Sequence, residues 1–176
     1  ITNLIRNGGT DGIIPEQVID NLTYTYANNN FSNKLLKVSD SVVNLENGFF
    51  DGTNTGNDYT YDNYGNMLTD LNKNISSTIR YNHLNLPVEI VFDNTNKISY
   101  VYDAEGRKLE KNILNGTVTT TTKYMNGFQY LNVVLQFFPT AEGYVKKTGN
   151  AYFYVFNYTD HLGNIRMSYS DNNTME

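Results

Sequence analysis

The stretch that decides the fold is YTYDNYGNMLTD, residues 59–70, much of whose grammar returns as YVYDAEGRKLEK at residues 100–111. Aligned on an Asp-x-x-Gly core, Asp62 is followed by Gly65 and Leu68, and Asp103 by Gly106 and Leu109; Tyr61 and Tyr102 stand directly before the aspartates. A third copy lies between them, with Tyr81-Asn82 followed by Asn85 and Val88, so that Asn replaces both Asp and Gly. The cores at 62, 82 and 103 are 20 and 21 residues apart, a period typical of repeat architectures. A fourth copy, Asp160-His-Leu-Gly163-Asn-Ile-Arg166, keeps the core but moves its tyrosine one place away, to Tyr158. Residues 24–38 read as a fifth copy without its Gly.

The spacing has a physical reason. Asp at the first position of a type I turn accepts hydrogen bonds from the amides that follow, and Gly three places on takes a backbone conformation that a Cβ penalises. Asn serves in either role, because it caps its own backbone and tolerates the left-handed region. Each core therefore predicts a hairpin turn. Along the strands feeding the turns, residues two apart share a face, which puts Tyr59 with Tyr61 and Tyr100 with Tyr102.

The run AYFYVFNYT, 151–159, carries this further, with Tyr152, Tyr154, Phe156 and Tyr158 on one face and Phe153 and Val155 on the other. A strand apolar on both faces predicts cover on both. The apolar stretch Leu131 to Phe138 is expected to stop at Pro139, which cannot donate to a ladder. Pro15 with Glu16 predicts a short helical turn, and the Gly-, Asn- and Thr-rich residues 47–58 predict a connecting loop.

Composition agrees with an all-β chain of one core's length. Fifteen tyrosines, nine phenylalanines and many threonines suit half-buried strands, while abundant Asn and Gly suit tight turns. A net charge of -5, with lysines and arginines scattered, argues against a nucleic-acid or anionic-membrane partner. The absence of cysteine excludes disulfides, thiolate metal sites and cysteine nucleophiles. No apolar run is long enough to enter a bilayer as a helix, and the first residues lack a signal peptide's pattern. Because the sequence does not open on Met, it is expected to be a piece of a longer polypeptide.

Candidate sites each meet a plainer explanation. Asp160, His161 and Ser168 suggest a Ser-His-Asp set, but neighbours on a strand point to opposite faces, and a turn Asp beside a polar ring accounts for them. His83 sits inside a turn, too far from His161 in sequence to give a metal spacing. DGTNTGNDYTYD, 51–62, imitates a calcium loop with Asp51, Gly56 and Asp62 at its first, sixth and twelfth positions. Thr53 and Thr55 replace needed carboxylates, however, and no helices flank it. Glu89, Asp93, Glu105 and Glu142 are not paired as glycosidase carboxylates would be. Arg107 and Arg166, each just after a turn, are placed to brace neighbouring carboxylates or carbonyls. No catalytic, cofactor or metal residue is assigned. The residues carried forward are the turn set: Tyr61, Asp62, Gly65, Tyr81, Asn82, Asn85, Tyr102, Asp103, Gly106, Asp160, Gly163 and Arg166.

The Tyr-x-Tyr-Asp-x-x-Gly-(Asn/Arg)-x-Leu units resemble the YD repeats of the Rhs (rearrangement hotspot) family, and DHLGNIRMSYSD, 160–171, resembles the start of the Rhs repeat-associated core. GFQYLNVVLQFFPTAEGYV, 127–145, resembles the stretch that precedes that core in Rhs-like proteins of Bacteroidetes. Together these cover Tyr59 to Asp171, about two thirds of the chain; residues 1–57 match loosely.

The resemblance implies successive antiparallel β-hairpins forming part of a spiralling YD-repeat shell, the wall of a β-cocoon. It divides the chain into irregular hairpins and linker at 1–57, YD repeats at 58–110, and hairpins leading into the core at 111–176. It implies a non-enzymatic structural part, in a secreted or cell-surface protein, that helps enclose a C-terminal toxin or partner polypeptide. The partners implied are the remaining segments of the parent protein and its cargo, with further repeats expected before Ile1 and the rest of the core after Glu176. The family's Asp-Pro autoproteolysis site has no match, since Ile14, Leu86 and Phe138 precede the three prolines. The aromatic ladders leave a second expectation, a carbohydrate-binding adhesin surface, because tyrosine rings stack on sugars.

Overall fold

The computed structural model describes residues 1–8, 17–42, 47–52 and 55–171, so Pro15, Glu16 and Thr53 lie outside it. The chain is all-β and antiparallel, and its contacts divide it into two compact units, residues 1–94 and 95–176.

In the first unit β1 (Asn3–Gly8), β2 (Gln17–Tyr26) and β3 (Leu35–Asp40) make one antiparallel sheet. Two hairpins follow: β4 (Tyr59–Tyr61) with β5 (Met67–Asp70), and β6 (Arg80–Tyr81) with β7 (Pro87–Val91). Leu22, Val38 and Tyr59 form the buried centre, with Tyr24, Leu35, Phe49, Tyr61 and Met67 packed around them. Tyr59 and Tyr61 thus share one side of β4 and face that core.

The second unit is a meander in chain order: β8 (Asn96–Tyr102), β9 (Lys108–Asn115), β10 (Val118–Met125), β11 (Phe128–Leu131), β12 (Val134–Thr140), β13 (Gly143–Thr148), β14 (Ala151–Thr159) and β15 (Ile165–Ser170). Sequence neighbours pair throughout, as short tight loops require. Val145 and Val155 are its most buried apolar residues.

Two expectations are corrected here. Pro139 does not stop its strand: β12 runs through it to Thr140, pairing Pro139 with Tyr144. The ladder to β11 ends at the pair Gln129 with Phe137, so no registered partner on that side asks for the N–H that proline lacks. The apolar stretch is divided earlier, at Asn132 and Val133, both with positive φ (45° and 67°), where the chain turns between β11 and β12. The second correction concerns β14. Its Val155 face is covered, but Tyr152, Tyr154 and Tyr158 on the other face are each more than half exposed. Their rings find company only along the surface, Tyr154 stacking on Phe156 and Tyr158 on Tyr169.

Candidate functional site

The four Asp/Asn-x-x-Gly/Asn corners share one construction. In each, the amide of the fourth residue donates to the first residue's carbonyl, as in a type I turn: Gly65 to Asp62, Asn85 to Asn82, Gly106 to Asp103 and Gly163 to Asp160, at 3.0–3.2 Å. The first residue's own amide donates to the carbonyl four places on, at 2.9–3.0 Å. Its side-chain oxygen then accepts from the amides two and four places on. For Asp103 these are Glu105 at 2.9 Å and Arg107 at 2.8 Å; for Asn82 they are Leu84 at 2.9 Å and Leu86 at 3.0 Å. Asp62 and Asp160 repeat the pattern.

The fourth position has φ of 89°, 84° and 83° at Gly65, Gly106 and Gly163, and 59° at Asn85. This left-handed residue after a type I turn places one extra residue in the loop, and a register shift sits beside every corner. Tyr61, Tyr81 and Tyr102 therefore face Met67, Pro87 and Lys108, each six residues on. In the fourth copy Thr159 takes that place opposite Ile165, which is why Tyr158 lies one step out of line.

The remaining carboxylate oxygen is used locally. Asn66 Nδ2 donates to Asp62 Oδ2 at 2.8 Å, Arg107 Nε to Asp103 Oδ2 at 2.7 Å and Arg166 Nε to Asp160 Oδ2 at 2.8 Å, so both arginines brace the aspartate of their own corner. All three aspartates are held below the usual carboxylate range. For Asp103 the leading cause is the Arg107 side-chain bond, and for Asp160 that of Asn164. For Asp62 burial pushes upward, but the bonds from Asn66 and from the amides of Tyr64 and Gly65 together outweigh it.

Neighbouring hairpins of the first unit are tied together by tyrosine. The Tyr61 hydroxyl donates to the Leu35 carbonyl and the Tyr81 hydroxyl to the Met67 carbonyl, each at 2.7 Å. Leu35 is to Tyr26 what Met67 is to Tyr61: the residue paired with the tyrosine just past a register shift. Residues 24–38 thus share the copy's framework, with a longer turn through Asn28, Asn29 and Asn30, all at positive φ. Asn66 Nδ2 also donates to Asn85 Oδ1 at 2.9 Å, linking two successive corners. Among the described residues no hydrogen bond or ion pair joins the Asp103 corner to the Asp160 corner.

The other candidates are dispersed. Ser168 donates to Asn157 Oδ1 at 2.7 Å while Asp160 is engaged by its own corner. Asp51 accepts from the Asp40 amide at 3.1 Å, away from the Asp62 turn bonds. Glu89 meets Arg80 at 3.0 Å and Glu105 meets Arg107 at 3.2 Å. Among the described residues no three His, Asp or Glu are grouped to hold a metal ion.

Sequence reading passed over three buried acids. Asp58 accepts from the Val38 amide at 2.7 Å and from Asn72 Nδ2 at 2.9 Å, Asp70 pairs with Lys73, and Asp20 is bound by Arg6 and the Phe49 amide. They tie loops to strands, and no local motif marks them. No family model matches the chain, and no curated protein matches it.

Proposed function

We propose that the chain is a non-enzymatic length of wall from a shell of the Rhs/YD-repeat type, whose work is to enclose a C-terminal toxin or partner polypeptide. The observation that carries this reading is the repetition of one corner four times with the same bonds, together with tyrosine hydroxyls reaching from one hairpin to the one before. Corners so built spend their polar groups on themselves and on their neighbours, which suits a continuing sheet. In this reading the partners are the other segments of the parent polypeptide and its cargo, the setting is secreted or at the cell surface, and the action is steric exclusion. Electron microscopy of the complete parent polypeptide tests it. A hollow particle with these residues in its wall is expected, whereas a solid globule would sink the proposal, as would a hydrolytic activity abolished by replacing one Asp, Glu or His of this chain.

A second reading draws on the exposed rings of Tyr152, Tyr154 and Tyr158. Side by side on an open sheet face, they suit stacking against sugars, as in a surface adhesin. Glycan-array binding by the chain, lost on replacing Tyr154 and Tyr158 with Ser, is the result that reading expects.

A further inference from the structure

The open face of β14 carries a recess where the chain turns from β12 to β13. There the register sets Thr140 beside Gly143 and Gly143 beside Phe156, so all three share the face of Tyr154, which lies two places from Phe156. Glycine has no side chain to fill its place in that row. The Asn157 amide donates to the Glu142 carbonyl at 2.9 Å, which seats the turn against β14. Thr140, Ala141, Glu142, Tyr154 and Phe156 line a cavity of about 420 Å³, within the range of small-molecule pockets, roughly 300–1,000 Å³.

The cavity's walls are mainly apolar, and Glu142 is the one charged side chain among the described residues lining it. The Glu142 carboxylate makes no hydrogen bond or ion pair among the described residues. The Tyr154 ring is more than half exposed and lies 6.4 Å from Phe156 at an interplanar angle of 20°, while Phe156 is also flanked by Tyr169 at 5.2 Å. Tyr154 is therefore the ring with area to offer. The same face already holds a cation over a tyrosine: Lys147, paired with Tyr152, places its Nζ 6.0 Å from that ring's centroid.

We infer that this cavity binds a small quaternary ammonium cation. The methyl groups pack against the Tyr154 ring and the apolar walls, and the charge is answered by the ring's negative face and by the Glu142 carboxylate. A quaternary nitrogen has no N–H, so apolar walls leave nothing on it unsatisfied. A primary ammonium brings three donors to a cavity with few acceptors and gives up a tighter shell of water. A sugar confined to this cavity meets the same shortage, since its hydroxyls need more partners than Glu142 and the Thr140 and Tyr154 hydroxyls supply. The inference shares Tyr154 with the second reading above but depends on neither reading, because it asks for a charge rather than for hydroxyls.

The test is an amide chemical-shift titration of the full chain at neutral pH and constant ionic strength with choline, its uncharged carbon isostere 3,3-dimethylbutan-1-ol, and ethanolamine. All share a hydroxyethyl tail, so only the head group varies. Choline should saturate shifts at Thr140, Glu142, Tyr154 and Phe156 with a dissociation constant of about 10 mM or tighter. The isostere and ethanolamine should each bind at least about fivefold more weakly. Glu142→Gln should weaken choline about fivefold and leave the isostere unchanged, and Tyr154→Leu, which keeps apolar area but loses the ring, should weaken choline more than the isostere. Tyr158→Ser, outside the cavity, should change neither. No saturable shift by about 100 mM choline, binding of the isostere or of ethanolamine as tight as that of choline, or choline binding unaffected by Glu142→Gln would each overturn the inference.

Discussion

The Tyr81 hydroxyl lies 2.7 Å from the carbonyl oxygen of Met67, a bond that reaches out of one hairpin into the hairpin before it. Tyr61 does the same with Leu35. Removing the oxygen while keeping the ring isolates this tie. Tyr81→Phe should cost about 1 kcal/mol, the usual net worth of one such bond, with somewhat more if the Met67 carbonyl is left unsatisfied. Urea unfolding should show a lower midpoint at an unchanged slope; an unaltered midpoint would mean the tie contributes nothing.

The same rings set an alkaline limit. Tyr59, Tyr61, Tyr81, Tyr100 and Tyr102 are all pushed above the usual tyrosine value, burial being the leading cause in each, with the Asp62 charge adding to it at Tyr81. The unfolded chain loses these protons first, near pH 10. Their contribution is therefore complete below about pH 10 and is lost as the pH rises through the folded values. Unfolding midpoints measured from about pH 8 to 11 should stay level and then fall; a midpoint that held steady to the end of that range would contradict the assignment.

At the corners, Asn82 shows that a carboxylate is not required. Asp62→Asn should leave the neutral-pH unfolding midpoint unchanged, whereas Asp62→Ala, which removes the acceptor for two amides, should lower it. Because Asp62, Asp103 and Asp160 are lowered, their share of stability is present above the usual aspartate value, near pH 4, and is lost as the pH falls through the folded values. Replacing all three with Asn should flatten the acid limb of a stability–pH curve; a limb of undiminished slope would place the acid sensitivity elsewhere.

Gly143 faces a tighter constraint, set by packing. A Cβ there would collide with the backbone carbonyl of Val155 on β14, and backbone cannot step aside as a flexible side chain can. Gly143→Ala should cost more than about 3 kcal/mol, well beyond the loss for Gly116→Ala, where nothing stands within 4 Å and only the positive φ is penalised. Thermal denaturation of the two variants makes the comparison, and equal losses would disprove it.

What the sequence disclosed and what it hid follow from where the bonds go. The all-β hairpin character was legible because turn chemistry is local: Asp, two residues and Gly carry their whole reason within five positions. The tyrosine ties were not, since the acceptor is a carbonyl that every residue possesses. The corner between β11 and β12 was masked by the apolar run around it, where only Asn132 hints at a turn before Val133, an unfavourable residue at positive φ. Pro139 is tolerated inside β12 because the ladder to β11 ends at Phe137, an endpoint that no local sequence marks. Asp20, Asp58 and Asp70 were invisible for the opposite reason to the corners, as their partners come from distant loops.

Both tyrosine ties reach toward the N-terminus, which gives the row of hairpins a direction. The β4–β5 hairpin is tied to β3 before it and offers Met67 as acceptor to the hairpin after it, so during synthesis each of these two hairpins meets its docking point already in place. Assembly in that order would have no need to wait for the end of the chain.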